Sequence, residues 1–153
     1  MNATAPSVAL VDYGSGNLRS VAKALERSGL VPDVTNDPLA LARADAVVLP
    51  GAGAFRDAAE RLAAKGLDDA VRRCIDDGKP YLGLCLGLQL LFDEGHEHGV
   101  TPGLRVLRGV VERFPATDPS GHRLLVPHIG WNEVRFQGAH PILDRLPPRD
   151  VYS

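Results

Sequence analysis

At 153 residues the chain has the size of one domain, and 44% hydrophobic with 24% charged residues is the balance of an ordinary globular protein. A net charge of −2 without blocks of like charge offers no general attraction to nucleic acid or an anionic membrane, and no apolar run approaches membrane-spanning length. Cys74 and Cys85 stand in different contexts without metal-ligand spacing, which argues against a disulfide framework or a zinc site. Met1 to Ser7 lacks a basic segment followed by an apolar run, so the cytoplasm is the expected location.

Along the chain, Val8-Ala9-Leu10-Val11 is a short, unalternated apolar run, as expected of a parallel strand covered on both faces. A helix follows from Leu18, with Leu18, Val21, Ala22 and Leu25 on one face, Asn17 as N-cap and Gly29 as the stop. A weaker strand spans Val31 to Thr35. Ala46-Val47-Val48-Leu49 is the next buried strand and ends at Pro50-Gly51-Ala52-Gly53-Ala54-Phe55. Helical patterns cover Arg56 to Lys65 and Leu67 to Asp76, with Gly78 closing the second. Cys74 shares a helical face with Leu67, Ala70 and Val71 and is expected in the core.

The next strand, from Tyr81, runs into Gly83-Leu84-Cys85-Leu86-Gly87 and then a helix over Leu88 to Phe92. This is the pattern of a nucleophile elbow. The side chain is held above the sheet on a strained backbone, and glycines two residues either side remove Cβ atoms that would collide with the turn. At the helix start, the helix dipole and free N–H groups favour a thiolate, and the Leu86 N–H can face an oxyanion formed on an attacked carbonyl. Beyond the elbow come short β-rich pieces, Leu104 to Leu107, Val110 to Phe114, Arg123 to Val126 and Glu133 to Phe136, which read as hairpins. The fold class is therefore α/β: a doubly wound, mostly parallel sheet with helices on both faces, plus a short antiparallel β section.

In such a sheet, reactive groups gather beyond the carboxyl ends of the strands, where Gly14 to Asn17, Pro50 to Phe55 and Cys85 should converge. The small residues of Pro50-Gly51-Ala52-Gly53 make that loop the candidate second oxyanion donor, against the plainer reading of a tight turn. Gly14-Ser15-Gly16 also lies between strand and helix, but Arg19 takes the place of the third glycine of a dinucleotide fingerprint. His96 and His98 read as a polar surface loop, and His122 as an exposed turn residue. His140 precedes a proline, and His128 stands near the single tryptophan, Trp131. No histidine is paired in sequence with a downstream carboxylate as base and orienter.

Four motifs together, Asp12-Tyr13-Gly14-Ser15-Gly16-Asn17-Leu18-Arg19-Ser20-Val21, Leu49-Pro50-Gly51-Ala52-Gly53-Ala54-Phe55, Gly83 to Leu91, and Val126-Pro127-His128-Ile129-Gly130-Trp131-Asn132, resemble one family in the expected order. It is the glutaminase subunit of imidazole glycerol phosphate synthase. The elbow alone would indicate the wider class I glutamine amidotransferases, whose fold is flavodoxin-like. The resemblance implies glutamine hydrolysis without metal or organic cofactor, and delivery of ammonia to a (β/α)₈-barrel cyclase subunit in a heterodimer serving histidine biosynthesis. It implies Cys85 as the nucleophile, Ala52, Gly53 and Leu86 as backbone oxyanion donors, and Gln89 and Glu97 as substrate-binding residues. Asn17, His128, Trp131 and Asn132 would meet the cyclase, an indole being suited to anchoring such a contact. The family carries its catalytic histidine and glutamate in a His-Pro-Glu motif near the C-terminus, and residues 1–153 contain none. The expectation is a single amidotransferase domain over 1–153, incomplete at its C-terminus and with an apolar sheet edge open beside the missing strands.

Two other functions compete. A non-catalytic module would bind the cyclase without turning over glutamine, indifferent to Cys85→Ser. Another cysteine-elbow hydrolase or a redox sensor would act on a different substrate, or oxidise reversibly at Cys85, and would leave the Pro127 to Asn132 motif without a purpose.

Overall fold

Four parallel strands, β1 (Ser7–Val11), β2 (Val31–Thr35), β3 (Ala46–Gly51) and β4 (Tyr81–Cys85), form a sheet in the order β2-β1-β3-β4. The computed structural model describes residues 5–125, 130, 131, 133, 134 and 141. The chain divides into two units, Met1–Arg113 and Phe114–Ser153. In the first, the connections between strands carry α1 (Leu18–Arg27), α2 (Pro38–Arg43), α3 (Phe55–Ala64) and α4 (Leu67–Asp76).

The two faces of the sheet bury different sets. One core joins Ala9, Val11, Val47 and Leu49 to Leu41 of α2, Phe55, Ala58 and Leu62 of α3, and Leu67, Val71 and Cys74 of α4. The other joins Val8, Leu10 and Val48 to Leu25 of α1. Val8 to Val11 of β1 and Val47 to Leu49 of β3 are thus all apolar because alternate side chains enter opposite cores, as expected for a parallel sheet covered on both sides. Cys74 lies in the larger core, and burial raises its thiol pKa.

The helix ends follow the sequence signals. Asn17 accepts from the Ser20 N–H at 3.2 Å. After α1 the N–H of Leu30 bonds the carbonyl of Leu25 and that of Gly29 bonds Glu26, and after α4 Lys79 and Gly78 repeat the pattern on Cys74 and Ile75. Helix α2 lies outside the sequence reading. Asp37 caps it, accepting from the Leu39 N–H at 2.9 Å, and Pro38 occupies its first turn. Its other end is held by the Lys79 ammonium, which donates to the carbonyls of Ala42 and Ala44 at 2.5 and 2.7 Å.

After β4 the helix is a single turn, α5 (Leu86–Gln89), shorter than and shifted from the expected Leu88 to Phe92. Helix continuation is overridden because the carbonyls of Leu90, Leu91 and Phe92 accept from Leu104, from Val106 and Leu107, and from Arg105. Phe92 instead opens β5 (Phe92–Gly95), the middle of a small sheet with β6 (Thr101–Pro102) and β7 (Leu107–Val111). That sheet is mixed: β5 runs antiparallel to β6 and parallel to β7. Residues 104–106 are a connection, and β7 bridges two of the expected pieces. In the second unit Thr117 and Arg123 form an isolated antiparallel bridge. The expected strand over Arg123 to Val126 shows only that bridge at its described residues, and Glu133 to Phe136 lies partly outside the described residues.

The start of β1 is tied to the turn before β3 by Asp45, whose carboxylate accepts from the N–H and the hydroxyl of Ser7, each at 2.8 Å. These bonds hold its pKa below the ordinary value of 3.8. A depressed folded-state pKa stabilises the fold above the unfolded-state value and loses that contribution as pH falls through the folded one. Urea midpoints measured from about pH 6 down to about pH 2 should therefore fall less steeply for Asp45→Asn than for the parent chain; equal slopes would remove Asp45 from the account.

Candidate active site

Cys85 ends β4 and is the residue from which α5 departs, with φ 55° and ψ −113°. A non-glycine residue in this region is strained by about 1–3 kcal/mol and persists only where its surroundings over-determine it. Here they do. A Cβ on Gly87 would lie 1.8 Å from the carbonyl oxygen of Leu49, and one on Gly83 would lie 2.7 Å from Gly87 O and Leu88 N. The first turn of α5 is thus pressed against the backbones of β3 and β4. The Tyr81 phenol donates to the Gly87 carbonyl at 2.7 Å and closes the turn from below. Burial, and secondarily Tyr13, raise the pKa of that phenol, so it stays a neutral donor.

Cys85 is solvent-exposed, while Leu86 and Gly87 are buried. The Leu86 N–H belongs to the first turn of α5, where no preceding turn supplies an acceptor. With α5 one turn long, only a short run of aligned peptide dipoles points at the site.

Gly51 pairs with Cys85 in the β3–β4 register, so the loop that continues through Ala52 and Gly53 starts beside the thiol. The third loop joins this one directly, since the Ser15 hydroxyl donates to the Ala52 carbonyl at 2.7 Å. The convergence expected from sequence is therefore present at Ser15, Ala52 and Cys85. Beneath it lies Tyr13, fully buried, with its hydroxyl close to Gly51 and, among the described residues, without a partner in hydrogen-bond geometry. Burial raises its pKa, opposed by the nearness of Ser15, of the Ala52 backbone and of Arg61.

The remaining candidates fall in different places. Gln89 closes α5 and is half-buried. Glu97 is half-buried and accepts from the Phe55 N–H at 2.9 Å, capping α3, whose own N-cap residue Ala54 provides no side-chain acceptor. His96 and His98 lie in the loop between β5 and β6, and His96 pairs with Glu94 at 2.9 Å. His122 sits in a turn organised by Asp118. Asn17 is exposed at the start of α1, and Trp131 is 85% exposed. His128, His140 and Asn132 lie outside the described residues. A cavity of about 760 Å³ is lined elsewhere, by Arg56, Leu62, Arg72, Leu90, Thr101 and Leu104 among others, and includes none of the candidate residues.

The elbow yields a direct expectation. Gly87→Ala places a methyl group against backbone that cannot step aside, so it should cost about 3 kcal/mol or more, or prevent folding altogether. Tyr81→Phe leaves the Gly87 carbonyl without its phenol donor and should cost about 1–2 kcal/mol. Denaturant midpoints of the two variants check both magnitudes and their order.

Comparison with known proteins agrees with this geometry. Residues 9–113 match the family model of the CobB/CobQ-like glutamine amidotransferase domain. The imidazole glycerol phosphate synthase subunit HisH of Geobacillus thermodenitrificans is 50% identical over 145 residues, covering 95% of this chain and 68% of that protein. The HisH subunit of Syntrophotalea carbinolica is 47% identical over 140 residues, 91% of this chain and 68% of its own length. That of Nostoc punctiforme is 47% identical over 148 residues, 96% and 67%. Among solved structures, a glutamine amidotransferase superposes with a TM-score of 0.57 at 28% identity, over 69% of this chain and 56% of that one. A putative peptidase E protein of Listeria monocytogenes shares the fold, with a TM-score of 0.52 at 20% identity, over 61% and 52%. The chain belongs to the glutamine amidotransferases and, among them, to the family of the HisH subunit of imidazole glycerol phosphate synthase.

Proposed function

We propose that this chain is the glutaminase part of imidazole glycerol phosphate synthase, working in the cytoplasm, hydrolysing glutamine to glutamate and passing the ammonia to the cyclase subunit in histidine biosynthesis. The observation that carries this reading is Cys85, exposed at φ 55° above the end of β4 with the Gly51 to Gly53 loop starting beside it.

In this mechanism the Cys85 sulfur attacks the side-chain amide carbon of glutamine, and the carbonyl π electrons move onto oxygen. That oxyanion needs donors fixed before it forms, and the N–H groups of Leu86, Ala52 and Gly53 supply them. Collapse of the intermediate breaks the C–N bond and releases ammonia, the leaving nitrogen taking a proton. Water then attacks the thioester through a second oxyanion and frees glutamate and the thiol. Gln89 and Glu97 hold the polar groups of the substrate. The proton carrier is assigned by resemblance to a His-Pro-Glu motif that residues 1–153 do not contain, so the assay uses the full-length gene product. No step of the chemistry calls for a metal or an organic cofactor. Asn17, His128, Trp131 and Asn132 form the cyclase contact in this reading, Trp131 being an exposed aromatic anchor.

Full-length protein paired with its cyclase subunit should release glutamate from glutamine, and Cys85→Ser should abolish release while keeping cyclase binding. Binding without turnover in the parent protein, unaltered by Cys85→Ser, would instead establish a non-catalytic module. Trp131→Ala should weaken cyclase affinity by about tenfold or more, as truncation of an interfacial anchor does. Titration calorimetry with an unaltered Kd would remove Trp131 from the interface.

A further inference from the structure

We propose that Ser15 is a positioning residue for the oxyanion loop, its hydroxyl fixing the Ala52–Gly53 peptide and with it the direction of the Gly53 N–H. The inference rests on the glutaminase reading and adds to it a side chain outside the nucleophile, donor and substrate-binding sets.

The argument begins with the bond itself. Ser15 Oγ donates to Ala52 O at 2.7 Å, across 37 residues of sequence. A trans peptide is planar, with its carbonyl and N–H pointing in opposite directions, so fixing one end fixes the other. The far end of the Ala52 carbonyl's peptide is the Gly53 N–H, for which no acceptor is found among the described residues. Without the Ser15 bond little else would hold this plane. Gly53 has φ 96°, a Cβ there would meet nothing within 4 Å, and Ala52 and Gly53 are both exposed. A glycine in open space turns its peptide at low cost.

Ser15 can serve as an anchor because its own loop is held independently. The Asp12 carboxylate accepts from the Gly14 N–H at 2.9 Å. From α3, Arg61 donates to the Gly14 carbonyl at 3.0 Å and Lys65 to the Asp12 carbonyl at 3.2 Å. Helix α3 begins at Phe55, two residues after Gly53. The oxyanion loop is therefore tied at its exit through α3 and Arg61 to the loop whose Ser15 holds its middle. That circuit removes the rotational freedom Gly53 would otherwise have, and a donor fixed before reaction avoids reorganisation during it.

The test compares Ser15→Ala and Ser15→Thr in the full-length protein paired with its cyclase subunit. Ser15→Ala should lower kcat for glutamate release by about three- to tenfold, the worth of one neutral hydrogen bond, and leave KM for glutamine within about twofold. Ser15→Thr keeps the hydroxyl and should restore kcat to within about twofold of the parent. A kcat unchanged or raised by Ser15→Ala, an effect confined to KM, or no rescue by threonine would overturn the assignment. A readout independent of turnover accompanies it: the resonance of the Gly53 amide in ¹⁵N-labelled protein should shift in Ser15→Ala, but not in Ser15→Thr. An unchanged Gly53 amide overturns the proposal. A parent protein that releases no glutamate overturns the glutaminase reading instead, and the amide measurement then decides the role of Ser15.

Discussion

The contact between Gly87 and the Leu49 carbonyl governs the arrangement around Cys85. With only a hydrogen where a Cβ would reach to 1.8 Å, the first turn of α5 sits directly on the end of β3. This proximity forces β4 to turn sharply at Cys85, leaves the thiol outside while Leu86 and Gly87 go inside, and brings the Gly51 loop into register with it. Were α5 a few ångströms farther off, Cys85 could relax into ordinary strand geometry and the site would lose both its projection and its neighbour.

The supports around this contact are polar, and two of the three come from distant parts of the chain. Tyr81 bonds the Gly87 carbonyl, Ser15 the Ala52 carbonyl, and Glu97 the Phe55 N–H. Each satisfies a backbone group near the carboxyl end of the sheet, where loops replace ladders and such groups would otherwise lack partners. Glu97 has a double position in this scheme. Its carboxylate caps α3, the helix that follows the Gly51 to Gly53 loop, and the same side chain is the one proposed to bind substrate. Engagement of glutamine by Glu97 would thus be felt at the start of α3.

Much of this was legible in the sequence because it depends on local composition. The uninterrupted apolar runs of β1 and β3, the helical faces of α1, α3 and α4, the caps at Asn17, Gly29 and Gly78, and the glycines framing Cys85 are all properties of short windows. Helix α2 is absent from the sequence reading although Asp37-Pro38 is an N-cap followed by a first-turn proline, because its six residues are too few for a period to show. What could not be read was long-range. The carbonyls that end α5 early are taken by residues 104–107, and Glu97 caps a helix 42 residues away. Nor does any window around Tyr13 announce that its hydroxyl lies buried against Gly51, or that Ser15 reaches the Ala52 carbonyl.

The outer strand β2 bears on how the molecule meets its own copies. The Val31 N–H bonds back toward β1 through Pro6, so the next residue, Pro32, faces the free side of the sheet. A second chain seeking to extend the sheet there would find the exposed side chains of Val31 and Val34 inviting, but a missing N–H where its carbonyl must dock. Pro32 thus interrupts edge-to-edge aggregation at an apolar border, and β2 can keep its valines at the surface without becoming a template.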